Sequence, residues 1–184
     1  ALALLLSALL LIALLTGCGS SSTGADADTF TIKYAHNQRE DSPQHVGVAA
    51  FKEKIEELSA GRIKVDIYPN GQLGSLRELI ERTQGGDIGM TQPPTSMIGN
   101  FVPQAMITDL PWLFESEAHM WSAMNGEAGK LIDDLMLEVG FMNLGYMHGG
   151  AKVFTTKDTK VEKLSDFSGL QMRAMPTQIV LDTY

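Results

Sequence analysis

The strongest constraint on what this chain can fold into is an alternation of two hydrophobic periods between Thr29 and Gln92. TFTIKYAHN (Thr29 to Asn37) places Phe30, Ile32 and Tyr34 at every second position, the pattern of a strand with one apolar face. Ser42-Pro43 then reads as an N-cap with proline in the first helical position, and Phe51, Ile55 and Leu58 recur at helical spacing before Gly61. RIKVDIYP returns to period two, with Ile63, Val65 and Ile67 inward. Ser75 and Glu78 have the spacing of a capping box, opening a helix with Leu76, Leu79 and Ile80 that Gly85-Gly86 ends. DIGMTQ (Asp87 to Gln92) makes a third, short strand stopped by Pro93-Pro94. Strand, helix, strand, helix, strand implies a mostly parallel sheet with helices on its faces, because parallel neighbours need a crossover the size of a helix.

Beyond Pro94 the pattern loosens. DLPWLF (Asp109 to Phe114) is a compact apolar string, and Met97, Met106 and Trp112 read as core. Helices are expected from about Glu117 to Asn125 and from Gly126 to Val139, the second burying Leu131, Ile132, Leu135 and Met136. FMNLGYMH (Phe141 to His148) is strand-like, and Gly149-Gly150 marks a crossing or hinge, since glycine absorbs backbone rotation cheaply. GLQMRAMP (Gly169 to Pro176) alternates again, which predicts a strand with Arg173 near its carboxyl end and a helix capped by Thr177.

The 184 residues carry a formal charge of -8 with no basic run, which argues against nucleic acid as a partner. Ala1 to Thr16 is almost wholly apolar but too short for a spanning helix, and fits the core of a secretory signal. LTGC (Leu15 to Cys18) resembles the lipobox of bacterial lipoproteins, in which the cysteine is lipidated, and the Gly/Ser-rich stretch after it reads as a flexible tether. The expected organisation is a signal peptide with lipobox over 1–18, a tether over 19–28, a first α/β domain over 29–148, and a hinge with the start of a second α/β domain over 149–184. A chain ending about two turns into a helix reads as cut at its carboxyl end. Such a piece is not expected to close as a clamshell by itself.

The catalytic signatures are missing from the sequence. No serine sits in a G-x-S-x-G elbow, the sole cysteine lies in the leader, and no G-x-G-x-x-G follows a strand. The four histidines (His36, His45, His119, His148) show no close metal-ligand spacing. Asp133-Asp134 and Glu56-Glu57 read as solvated charges on helix faces. No catalytic residue, metal or cofactor is therefore assigned. What remains is Asn37, Gln92, Lys152 and Arg173, each at or near a strand end, where the carboxyl edges of a parallel sheet converge. Two amides and two cations suit an organic anion, and the guanidinium offers a two-pronged donor for a carboxylate. Taken singly, each fits a turn or surface role as well.

The segments YPNGQLGSLRELIERTQGGDIGM (Tyr68 to Met90), DLPWLF and SDFSGLQMRAMPTQIV (Ser165 to Val180), in this order, resemble the extracytoplasmic solute-binding proteins of TRAP transporters, the DctP family. The resemblance runs from about Phe30 to Tyr184. It implies a periplasmic-binding-protein-like α/β fold of two domains closing like a clamshell, here truncated at the carboxyl end, with no catalysis. It also implies capture of a small organic acid and delivery to membrane subunits driven by an ion gradient. The lipobox is compatible with the family, many of whose members instead carry a cleaved signal, and gives membrane attachment only through the lipid on Cys18. Arg173 matches the family's carboxylate-binding arginine. Lys152 stands where many members carry a second arginine, and Asn37 and Gln92 align with pocket positions of variable identity. Two competing readings are a surface-anchored α/β hydrolase whose catalytic residues lie outside this sequence, and a structural lipoprotein that binds other proteins.

Overall fold

The computed structural model describes residues 29–150, 153–174 and 178–183. The signal, lipobox and tether readings over 1–28, with Cys18, lie outside the described residues, as do Lys152 and the Thr177 cap.

Three parallel strands form one sheet in the order β2-β1-β3: β1 Phe30–Ala35, β2 Ile63–Tyr68 and β3 Met90–Thr91. The register pairs Phe30 with Ile63 through Ala35 with Tyr68 on one side, and Tyr34 with Met90 on the other. Helices α1 (Pro43–Leu58) and α2 (Leu76–Gln84) make the crossovers. Both start as their sequences dictate. Ser42 Oγ accepts the backbone N–H of His45 at 3.2 Å, and Pro43 occupies the first turn of α1. At α2, the Ser75 N–H donates to Glu78 Oε2 at 2.7 Å while the Glu78 N–H donates to Ser75 Oγ.

Alternate residues of β1 point to opposite faces, so the sheet has two cores. Tyr34 packs with Val48 of α1 and Val65 of β2 on one face. Ala35 packs with Leu79 of α2 and with Ile88 on the other. The next residue of α2, Ile80, turns away from the sheet into a third cluster. Its members include Met97, Ile98, Val102, Met124, Ile132 and Phe141, drawn from α3 (Thr95–Ile98), α4 (Glu117–Met124), α5 (Glu127–Glu138) and the segments around them. A short 3₁₀ segment, Pro103–Asp109, packs beside α3.

The free edge of β2 is closed by side chains of α1. Glu56 Oε1 accepts the Val65 N–H at 3.0 Å, and Lys52 Nζ donates to the Val65 carbonyl. The backbone bond, with Lys64 and Lys52 nearby, holds the Glu56 carboxyl below its usual range. A bare edge invites pairing with another chain, and these two side chains occupy its polar groups at Val65.

Several sequence expectations are corrected. The third strand is only Met90–Thr91, not Asp87 to Gln92. Neither Phe141–His148 nor the described part of Gly169–Pro176 is a strand. Period-two alternation makes a strand only when a neighbour supplies the ladder, and among the described residues neither stretch has one. Phe141–Tyr146 is instead strapped across α5: Phe141 is buried, and Tyr146 Oη and Asn143 Nδ2 both donate to Asp133 Oδ1, at 2.6 and 2.7 Å. Asp133 is therefore a structural acceptor rather than a solvated charge. Glu56, stapling β2, is likewise no free surface acid. Phe30 at the sheet's start and Leu131 on α5 are exposed, at 61% and 60%. Trp112, expected in the core, is 94% exposed on a backbone with φ +57.

Removing side-chain volume from α2 and α5 should separate these roles. Leu79→Ala, at a fully buried position, is expected to cost about 2–5 kcal/mol. Leu131→Ala should stay within about 0.5 kcal/mol. Urea unfolding followed by circular dichroism reads both.

Candidate functional site

Because all three strands run parallel, their carboxyl ends lie on one side of the sheet, and three loops leave from that side. The loop after β1 begins His36-Asn37, the loop after β2 is Pro69 to Gly74, and the chain leaves β3 through Gln92-Pro93-Pro94. The first two loops are tied together. The Gly71 N–H donates to the His36 carbonyl and the Asn70 N–H to the Gln38 carbonyl, both at 3.0 Å. Gly71 has φ +68, which a side chain would resist.

Asn37 and Gln92, which follow the neighbouring strands β1 and β3, therefore sit at the same edge. Asn37 is exposed and Gln92 half-buried. Tyr34 Oη donates to Gln92 Oε1 at 3.2 Å, which assigns the amide: its carbonyl is used, leaving Nε2 as the donor without a partner. Burial pushes the Tyr34 hydroxyl up to about 12, so it remains a proton donor across the physiological range. Arg173 is exposed in an extended segment outside the sheet. Lys152 falls outside the described residues, so Asn37 and Gln92 are the pair that the fold brings together.

The structure adds two residues that sequence reasoning did not single out. Thr91 Oγ1 and Ser96 Oγ are buried without a hydrogen-bond partner, as is Gln92 Nε2. Thr91 ends β3, and Ser96 lies in the first turn of α3, five residues on. An unsatisfied buried polar atom costs about 1–3 kcal/mol, and three in six residues is a concentration that ordinary packing avoids. Hydroxyl and amide donors of this kind match oxygen acceptors. No local sequence signal marked them, since Thr and Ser after a strand usually serve caps and turns. A separate open groove of about 610 Å³ lies on the α1 side of the sheet, lined by residues including Glu40, His45, Lys52, Asp66, Tyr68 and Gln72.

The chain matches the family model described as DctP, bacterial extracellular solute-binding protein, family 7, over residues 34–184. It is 30% identical over 157 residues to the C4-dicarboxylate-binding protein DctB of Bacillus subtilis, covering 85% of this chain and 45% of that one. It is also 30% identical over 160 residues to the C4-dicarboxylate-binding periplasmic protein DctP of Rhodobacter capsulatus, covering 86% and 48%. Among solved structures, the sugar acid binding protein DctPAm of Advenella mimigardefordensis, in complex with galactonate, superposes with a TM-score of 0.81 at 30% identity. That match covers 84% of this chain and 50% of the other. The chain thus spans about half the length of the curated relatives it matches.

The partnerless hydroxyls generate a test without any ligand. Thr91→Val and Ser96→Ala each remove a buried polar atom that has no bond to lose, so each is expected to leave stability unchanged or raise it by about 1 kcal/mol. Chemical denaturation reads the result, and a loss above about 1 kcal/mol in both would mean that these hydroxyls are structural.

Proposed function

The chain belongs to the DctP family of bacterial extracellular solute-binding proteins, and on that footing we propose that it captures a small organic acid outside the cytoplasmic membrane for a TRAP-type carrier. The acid is a C4-dicarboxylate, a sugar acid or a keto acid. The observation that carries the reading is the set of buried, partnerless polar atoms on Thr91 and Gln92 at the carboxyl end of β3 and on Ser96 in the first turn of α3. In a chain of this family, an anion bearing hydroxyl or carbonyl oxygens is the partner that would satisfy them.

In this reading Arg173 supplies the charge. Its guanidinium takes the ligand carboxylate in two parallel bonds, while Lys152 offers a second, single-point cation. Asn37 and Gln92 read the remaining oxygens. Arg173 reaches the edge by movement about Gly149-Gly150, where Gly150 already holds φ +88, a conformation suited to a hinge. Closure excludes water from the cleft, and a charge pair strengthens as the surrounding dielectric falls. Cys18 carries a lipid that holds the protein at the membrane, and the loaded form passes its ligand to membrane subunits driven by an ion gradient. Catalysis has no part in the cycle.

Thermal-shift screening of organic acids, followed by calorimetry with galactonate and succinate on the protein carrying this sequence, tests the proposal. A bound acid at a hundred times its Kd should add about 2.7 kcal/mol of stability. Arg173→Ala should cost about 2–5 kcal/mol of binding free energy, because the carboxylate loses its partner in a dry cleft. A panel in which no acid binds, or an Arg173→Ala protein with undiminished affinity, would overturn it.

A further inference from the structure

His36 follows β1 directly and opens the loop that carries Asn37, and it is 1% exposed. Its Nδ1 accepts the backbone N–H of Gln38 at 3.2 Å, which places the ring proton on Nε2. That nitrogen lies 3.2 Å from Nδ1 of His45, in the first turn of α1. His36 Nε2–H therefore donates and His45 Nδ1 accepts, leaving the His45 proton on its own Nε2. The rings meet at 5.2 Å between centroids, inclined by 64°. Two imidazoles nine positions apart in sequence thus share one hydrogen bond beneath the loop.

From this geometry we propose that His36 and His45 act as positioning residues, a pair that holds the loop after β1 in place only while both rings are neutral and releases it on acidification. A proton added to His36 can enter only at Nδ1, where it faces the Gln38 N–H. A proton added to His45 can enter only at Nδ1, where it faces His36 Nε2–H. Either event sets donor against donor and removes one of the bonds that hold the His36–Gln38 turn, leaving it the two backbone bonds from Gly71 and Asn70. The pair has no third ligand to make it a metal site: the described residues hold no group of three His, Cys, Asp or Glu able to bind an ion.

The surroundings fix the direction. Burial comes first in lowering the His36 pKa below its ordinary value, and the facing His45 lowers it further. From β1, the neutral Tyr34 ring lies edge-on to His36 at 6.2 Å. Around His45, in the first turn of α1, the charged groups lining the adjoining groove are Glu40, Asp66 and Lys52. His36 is the ring depressed in the fold, so the unfolded chain binds a proton first. The contribution is complete above about pH 6.5 and is lost as pH falls below it.

The consequence for ligand rests on the binding reading given above, through Asn37; the release of the loop does not. Histidine-ring and amide NMR of the protein between pH 8 and 5 tests the pair directly. The expected result is that His36 stays neutral with its proton on Nε2 to below pH 6.5, and that the Gln38 amide shifts in the same transition that charges the pair. Affinity for galactonate, whose own carboxylate stays ionised over this range, should fall by up to about tenfold per pH unit beyond that transition. His45→Asn keeps an acceptor oxygen near the Nδ1 position and removes the proton site, so its affinity should depend less on pH than wild type while matching it near pH 8. Rings that titrate near 6.5 with an unmoved Gln38 amide, or a His45→Asn profile identical to wild type, would overturn the proposal. A loop transition as described with no galactonate binding at any pH would sustain the pair and count against the binding reading.

Discussion

The parallel pairing of β1 with both of its neighbours is the constraint on which the rest depends. With β1 central, its two faces take two different helices, and neither core can form without the other side of the same strand. Tyr34 and Ala35 are adjacent in sequence and belong to separate cores, which is what period two requires of a strand buried on both faces. The same pairing delivers His36, Asn37 and Gln92 to one edge, though 55 positions separate the last two. An antiparallel β3 would have sent Gln92 to the opposite end of the sheet.

That part of the molecule was legible because its signals are local and mutually consistent. Ser42-Pro43 and the Ser75–Glu78 box start helices through bonds that form within four residues, and alternation from Phe30 and from Ile63 needs only the neighbouring strand to be rewarded. Glycine and proline then punctuate each element. Where legibility failed, the missing information was non-local. Alternation in Gly169–Pro176 describes a surface able to pair, but pairing is a property of two segments. Trp112 looked like core by residue type; its left-handed backbone, with φ +57, turns it outward, and no periodicity reports that. The His36–His45 contact joins the residue after β1 to the first turn of α1 across a loop, which a search for metal-ligand spacing passes over.

The polar atoms at and just after the end of β3 differ from those of the rest of the described core. Elsewhere the chain answers its buried polar groups: Asp133 takes Tyr146 and Asn143, Glu56 takes the Val65 N–H, and Thr83 Oγ1 bonds to the Leu79 carbonyl. Burial and the Asp133 carboxylate together raise the Tyr146 hydroxyl well above its ordinary range, which keeps that bond a donor–acceptor pair. Against these examples, three partnerless atoms within Thr91 to Ser96 are a local concentration among the described residues. Concentrations of that kind occur where a protein holds unused hydrogen-bonding capacity for something else.

Net charge would seem to argue against an anion as that something. At -8 the chain repels carboxylates at a distance, yet over about 8 Å in physiological salt that repulsion is largely screened. On the binding reading proposed above, capture is decided inside the cleft rather than by the overall field. One guanidinium would then carry the charge while neutral donors read the shape, and the charged contact would set affinity for carboxylates as a class. Neutral donors, which cost little to desolvate compared with ions, discriminate among them by which oxygens they leave unpaired. On such a division of labour, ligand identity resides in Asn37, Thr91, Gln92 and Ser96 more than in Arg173. It also follows that family membership, which the match over residues 34–184 carries, is easier to read from sequence than the acid that a given member takes.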